Sequence, residues 1–168
     1  MSIQPPFSEE QLLEVERLLG RKPRGLREIA VARKDGAPMV IRVASIVEGK
    51  PFPTLYWLID PEICLRIDRE EAGGLIKSMQ SEVDASPALQ ASMAADHRDY
   101  IARREDFMTR EDREALQAGG FGDALAGKGI GGIGDFRYIR CLHTWYGAHL
   151  VVPNTIGRIL DERWSVAG

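Results

Sequence analysis

Six consecutive uncharged residues, Thr54-Leu55-Tyr56-Trp57-Leu58-Ile59, follow Pro51-Phe52-Pro53 and precede Asp60-Pro61, and a run of that composition has to be buried. It is far shorter than the roughly 20 residues of a membrane span, so the protein itself must cover it. Its aromatic and aliphatic content predicts a strand buried on both faces, at the centre of a sheet. Partners lie upstream. Residues 28–33 and 39–47 are rich in Val and Ile and flank Lys34-Asp35-Gly36-Ala37-Pro38, a turn composition that predicts a β-hairpin.

The rest of the chain reads as helix. Ser8 with Gln11 forms a capping-box pattern ahead of Leu12, Val15, Leu18 and Leu19, and Gly20 ends that helix. Asp60 is an N-cap candidate, followed by Pro61 where a missing N–H costs nothing. Gly73-Gly74 breaks the resulting helix, Ser86-Pro87 opens another, and Met93, His97, Tyr100, Ile101, Arg104 and Phe107 continue a single stripe along it. A shorter helix follows from Thr109, residues 138–152 are read as helix, and Pro153-Asn154 precede a last one. Eight glycines between 119 and 134 make that stretch a long loop, expected to be mobile in the free protein. The expected fold is therefore α+β, with a small antiparallel or mixed sheet from the N-terminal half packed by several helices and a helical C-terminal half.

Composition narrows the class. The 168 residues are 44% hydrophobic and 28% charged, which suits one globular domain over residues 1–168 rather than a disordered chain. With 22 basic and 25 acidic residues the net charge is −3, so no nucleic acid is expected as a partner. The start, Met-Ser-Ile-Gln-Pro-Pro, lacks the features of a signal peptide, and no apolar run suits a membrane. Two cysteines, Cys64 and Cys141, do not make a secreted disulfide framework, so reduced thiols in the cytoplasm are expected.

Reactive side chains concentrate in Cys141-Leu142-His143 and His149. Thiolate and imidazole suit Zn²⁺ or another transition metal, and they equally suit a nucleophile with its acid–base partner; a buried cysteine beside hydrogen-bonded histidines is the plain structural alternative. At about 100° per residue, Cys141 and His143 on one helix point about 160° apart, whereas Cys141 and His149 lie within about 80°. Either the helix begins after His143, with Thr144 as cap and Cys141 and His143 folded inward, or only Cys141 and His149 share a site. His97 is a core histidine or a further imidazole for that site, Asp60 a cap or a further ligand, and Cys64 packs in the core. The segment Gly127-Lys128-Gly129-Ile130-Gly131-Gly132 could turn backbone N–H groups toward an anion, with Lys128, Arg137 and Arg140 supplying charge, or simply connect helices. Arg158 could bind a carboxylate or phosphate or be solvated.

Taken in order, Pro51-Phe52-Pro53-Thr54-Leu55-Tyr56-Trp57-Leu58 with Pro61, Gly129-Ile130-Gly131-Gly132-Ile133, Cys141-Leu142-His143 and Asn154 to Gly157-Arg158 resemble the bacterial domain-of-unknown-function family 501 over roughly residues 10–160. The resemblance implies a small cytosolic bacterial protein with no established activity. It implies too that Trp57, the glycine loop and the Cys-Leu-His stretch meet in one pocket; Asn154 and Arg158 are further ligand-binding candidates. Similar sequences often carry Cys where this chain has Asp60, so Asp60 would be an oxygen donor in its place; Thr144-Trp145 is a second departure.

The expected function is a ligand- or metal-binding protein, a hydrolase or transferase in its enzymatic version. Its Cys141, His143 and His149 pocket would lie beside a loop for a small anionic ligand. The alternative is a non-catalytic interaction module that docks a protein partner through Tyr138, Trp145 and Tyr146.

Overall fold

Ser8 accepts the Gln11 N–H while the Gln11 side chain accepts the Ser8 N–H, and this reciprocal cap starts α1 (Glu9–Leu19) in the computed structural model, which describes residues 5–167. The first four residues, on which part of the signal-peptide reading rests, lie outside the described residues. The hairpin follows as β1 (Leu26–Ala32) and β2 (Pro38–Val43), antiparallel across the Lys34–Ala37 turn. A two-residue ribbon, β3 (Ile46–Val47) with β4 (Lys50–Pro51), takes the end of what reads in sequence as one long second strand.

The apolar run is not the central strand. Only β5 (Tyr56–Leu58) is strand, and it pairs with β2 alone, in the register Arg42 to Tyr56, Ile41 to Trp57 and Val40 to Leu58; β2 is the middle of the order β1-β2-β5. A helix covers β5 instead of a further strand. α6 (Leu142–Val151) lies against it so closely at Gly147 that a Cβ there would stand 3.2 Å from the Leu58 nitrogen. An edge so covered needs no strand partner, which is why the sequence carries the apolar signature of a central strand.

β2 is buried on both faces. Val40 joins the cluster formed with the helices, whereas Ile41 and Val43 join Val15 of α1 and Ile59. Full burial of side chains such as Val40 and Ile41 is worth about 1.5–3 kcal/mol each.

The remaining helices are α2 (Pro61–Ala72), α3 (Leu75–Asp84), α4 (Pro87–Phe107), α5 (Arg110–Ala118) and α7 (Thr155–Ala167). Among the described residues no helix is long and apolar enough to cross a membrane. Two local readings change. Residues 138–141 are not helical, because Gln80 accepts the Ile139 N–H and donates to the Arg137 carbonyl while Glu71 accepts the Leu142 N–H; α2 and α3 thereby hold this segment extended. The glycine segment is anchored at Leu125 and over residues 129–133, while 122–124 and 126–128 are exposed. Leu125, Ile130 and Ile133 are buried, the Ile130 N–H donates to His97 Nδ1 at 3.0 Å, and the buried Arg104 guanidinium donates to the Leu125 and Pro53 carbonyls. Gly129 is required there, since a Cβ would fall 2.2 Å from His97 Nδ1.

Candidate functional site

Cys141 is the N-cap of α6, with extended backbone angles of φ −152° and ψ 119°. It therefore escapes the 100° increment that would turn it away from His143, the second residue of the helix. Cys141 Sγ lies 3.8 Å from His143 Nδ1, and the Thr144 hydroxyl fixes the cap by donating to the Cys141 carbonyl at 2.8 Å.

The last turns of α2 complete the cluster. Glu71 Oε1 stands 3.4 Å from His143 Nδ1 and accepts the Leu142 N–H at 2.9 Å, and Asp68 Oδ1 is 2.9 Å from His143 Nε2. One ligand atom each from Glu71, Cys141 and His143 lies within 4.8 Å of the other two. All three side chains are partly buried.

Burial pushes the Cys141 thiol up, but the His143 hydrogen bond and the Thr144 and His143 amides outweigh it, and the thiol sits below its ordinary value. The bond to Cys141 raises His143 to about 9, against burial and with help from Glu71 and Asp68. Each partner thus favours the charged form of the other. Cys64 behaves oppositely: burial pushes it up to about 11, and its Sγ contacts the Leu58 carbonyl at 3.6 Å.

A hollow of about 240 Å³ opens beside His143 and Thr144, bordered by Phe52, Tyr56, Trp57 and Leu58. Trp57 therefore does neighbour the Cys-Leu-His segment. The glycine loop comes close as well: a Cβ on Gly131 would lie 2.9 Å from the Thr144 hydroxyl, and one on Gly132 would lie 3.3 Å from Pro53.

Other sequence candidates stand elsewhere. His149 is not part of the Cys141 cluster; its Nε2 is 2.7 Å from Asp161, its Nδ1 accepts the Asn154 N–H, and Tyr146 donates to the same Asp161. His97 lies under the glycine loop, stacked on Phe136 and edge-on to Trp145, and is absent from the Cys141 cluster. Asp60 is the N-cap of α2, accepting from Glu62 and Ile63, and its second oxygen pairs with Arg33, so it supplies no ligand to that cluster.

Four amides of the expected anion cradle are taken from within. The Lys128 N–H goes to Leu125, the Gly129 N–H to Ile133, the Ile130 N–H to His97 and the Gly132 N–H to Gly129. Arg137 pairs with Asp135, while Lys128, Arg140 and Arg158 are exposed. Asn154 spends both ends of its amide internally, donating to the Trp145 carbonyl and accepting the Gly157 N–H. Of the aromatic docking patch only Tyr138 is exposed, since Trp145 and Tyr146 are buried in the core.

Sequence reasoning missed Glu71 and Asp68. Their spacing of three residues puts both on one face of α2, but within Asp68-Arg69-Glu70-Glu71 that pattern is indistinguishable from a solvated helix surface.

Fold and site together define a small α+β protein whose Glu/Cys/His donor cluster sits where the end of one helix meets the start of another. The chain belongs to the protein family of unknown function DUF501, whose model matches residues 29–162. No curated protein and no solved structure matches the chain.

Proposed function

We propose that Glu71, Cys141 and His143 bind one divalent metal of the zinc class and that the site supports metal-assisted hydrolysis or group transfer. The supporting observation is the spacing of the donor atoms. A tetrahedral Zn²⁺ with bonds of about 2.3 Å to sulfur and about 2.0–2.1 Å to nitrogen and oxygen spans about 3.6 Å from S to N and about 3.3 Å from N to O. Here those separations are 3.8 Å and 3.4 Å, close to the spans that a shared ion needs. Asp68 on His143 Nε2 is the carboxylate that orients a metal-bound imidazole and fixes its tautomer. Three protein ligands leave a fourth position for water, whose pKa such a metal brings near 7, and the hollow over Trp57 gives a substrate access to His143. Both cysteines are free thiols, which fits a reducing cytoplasm.

Elemental analysis of protein purified without chelator or metal-affinity tag tests this directly. About one equivalent of zinc or a related metal is expected, lost in Cys141→Ala; less than about a tenth of an equivalent overturns the reading, because a tight site binds with roughly 10 kcal/mol or more.

A second reading uses the same atoms without a metal. Cys141 at a helix N-terminus, His143 Nδ1 facing it and Asp68 on His143 Nε2 also form a nucleophile, base and orienting carboxylate. A metal-free protein whose Cys141, and not Cys64, is alkylated by iodoacetamide within minutes at neutral pH supports that reading over the first.

A further inference from the structure

We infer that Arg21, Lys50, Phe52 and Trp57 form a subsite for an organic anion in which a phosphate or carboxylate is attached to a flat ring. The inference deepens the proposed function by naming the substrate class of the Glu71/Cys141/His143 centre, although binding at this subsite does not itself require the metal.

The subsite is a hollow of about 600 Å³ between the link after α1 and the β3–β4 ribbon, within the size range of small-molecule sites. Its cations are Arg21, Arg24 and Lys50, and its acid is Glu48. Glu48 is taken up by Arg24 at 3.1 Å, which leaves Arg21 and Lys50 as the net positive charge of the lining. The Arg21 guanidinium carbon stands 5.3 Å from the centre of the Trp57 ring, so the indole and a cation already share one face of the hollow.

The apolar part of the ligand follows from the other wall. Phe52 and Trp57 are a tilted aromatic pair with centroids 5.7 Å apart, partly exposed at the edge of the cluster that α1 shares with the sheet. Both rings also border the smaller hollow that reaches His143 and Thr144. A ligand lying across them would present its charged group to Arg21 and Lys50 and its other end to His143. Inorganic phosphate alone would use only the cations, and an uncharged ring only the aromatics.

Glu48 at φ +52° and Gly49 at φ +76° are the two central residues of the tight turn that joins β3 to β4, the positive φ values that a two-residue hairpin turn requires, and the turn sets Lys50 beside Phe52.

Isothermal titration of the full chain with 4-nitrophenyl phosphate, 4-nitrobenzoate and adenosine monophosphate tests the inference, with inorganic phosphate and adenosine as controls. At least one ring-bearing anion is expected to bind at least tenfold tighter than both controls. Lys50→Glu and Arg21→Glu, both at exposed positions, should each weaken that binding at least fivefold, and Trp57→Ala at least tenfold. Lys77→Glu, at an exposed position on α3 outside both hollows, should leave it within twofold. Failure of every ring-bearing anion to bind, or wild-type affinity in Lys50→Glu and Arg21→Glu, overturns the inference. Zinc present with no anion bound sinks the subsite alone; anion binding retained in a protein without zinc sinks the metal reading alone.

Discussion

His97 and His143 occupy opposite electrostatic settings. His143 is drawn up by its hydrogen bond to Cys141 and by two carboxylates, while His97, wholly buried, accepts the Ile130 N–H through Nδ1 and is pushed down to about 4 by desolvation. With a folded value below the unfolded 6.5, the neutral form of His97 contributes stability that is complete above about pH 6.5 and is lost as the pH falls toward 4. The loss amounts to at most about 3 kcal/mol. Denaturant melts at several pH values should show a smaller decline between pH 7 and 4 for His97→Gln than for the wild type; equal slopes would contradict the assignment. Asp68 acts at the same scale. It is largely exposed and touches the site only through His143 Nε2, so Asp68→Asn should lower metal affinity roughly 10- to 100-fold and leave the metal-free melting temperature nearly unchanged. Competition with a chromophoric chelator measures the first quantity, and unaltered affinity would remove Asp68 from the account.

At the scale of elements, the glycine segment changes most between sequence and structure. Eight glycines read as entropy and therefore as mobility; α4 adds anchors that the glycines alone do not reveal. Its buried stripe presents His97 to the Ile130 amide and Arg104 to the Leu125 and Pro53 carbonyls, so polar groups on a helix core face anchor the loop at Leu125 and Ile130. Gly129→Ala should consequently cost about 1–3 kcal/mol, the range for overpacking, because the new Cβ must displace His97. A thermal melt of Gly129→Ala matching the wild type would mean the segment yields as an open loop does. The capping signals of α1 and α2 were legible because Ser8-Gln11 and Asp60-Pro61 act within four residues. The start of α6 was not legible, since Leu142 is its first residue only because Glu71 and Gln80, far away in the chain, take the amides before and at that point. β5 misled for a related reason: burial by a helix and burial by flanking strands leave the same apolar run.

For the molecule as a whole, the sheet and its two apolar clusters serve chiefly to hold the end of α2, the start of α6 and the edge strand β5 in fixed relation. Half of the candidate centre could be read from the chain, since Cys141 and His143 are rare residue types close together. The other half could not, because carboxylates such as Glu71 and Asp68 are common on helix surfaces and acquire meaning only when the fold brings His143 to them. The sequence also named His149, whose helical phase relative to Cys141 looked favourable. That phase does not apply once Cys141 is a cap outside the helix, and Asp161 of α7 takes the imidazole instead. The central claim is that Glu71, Cys141 and His143 jointly ligate a metal, and X-ray absorption at the zinc edge on the protein as purified addresses it most directly. The account predicts one sulfur at about 2.3 Å with nitrogen and oxygen neighbours at about 2.0–2.2 Å, the sulfur disappearing in Cys141→Ala. A shell without sulfur, a sulfur signal that survives Cys141→Ala, or no bound metal would contradict it.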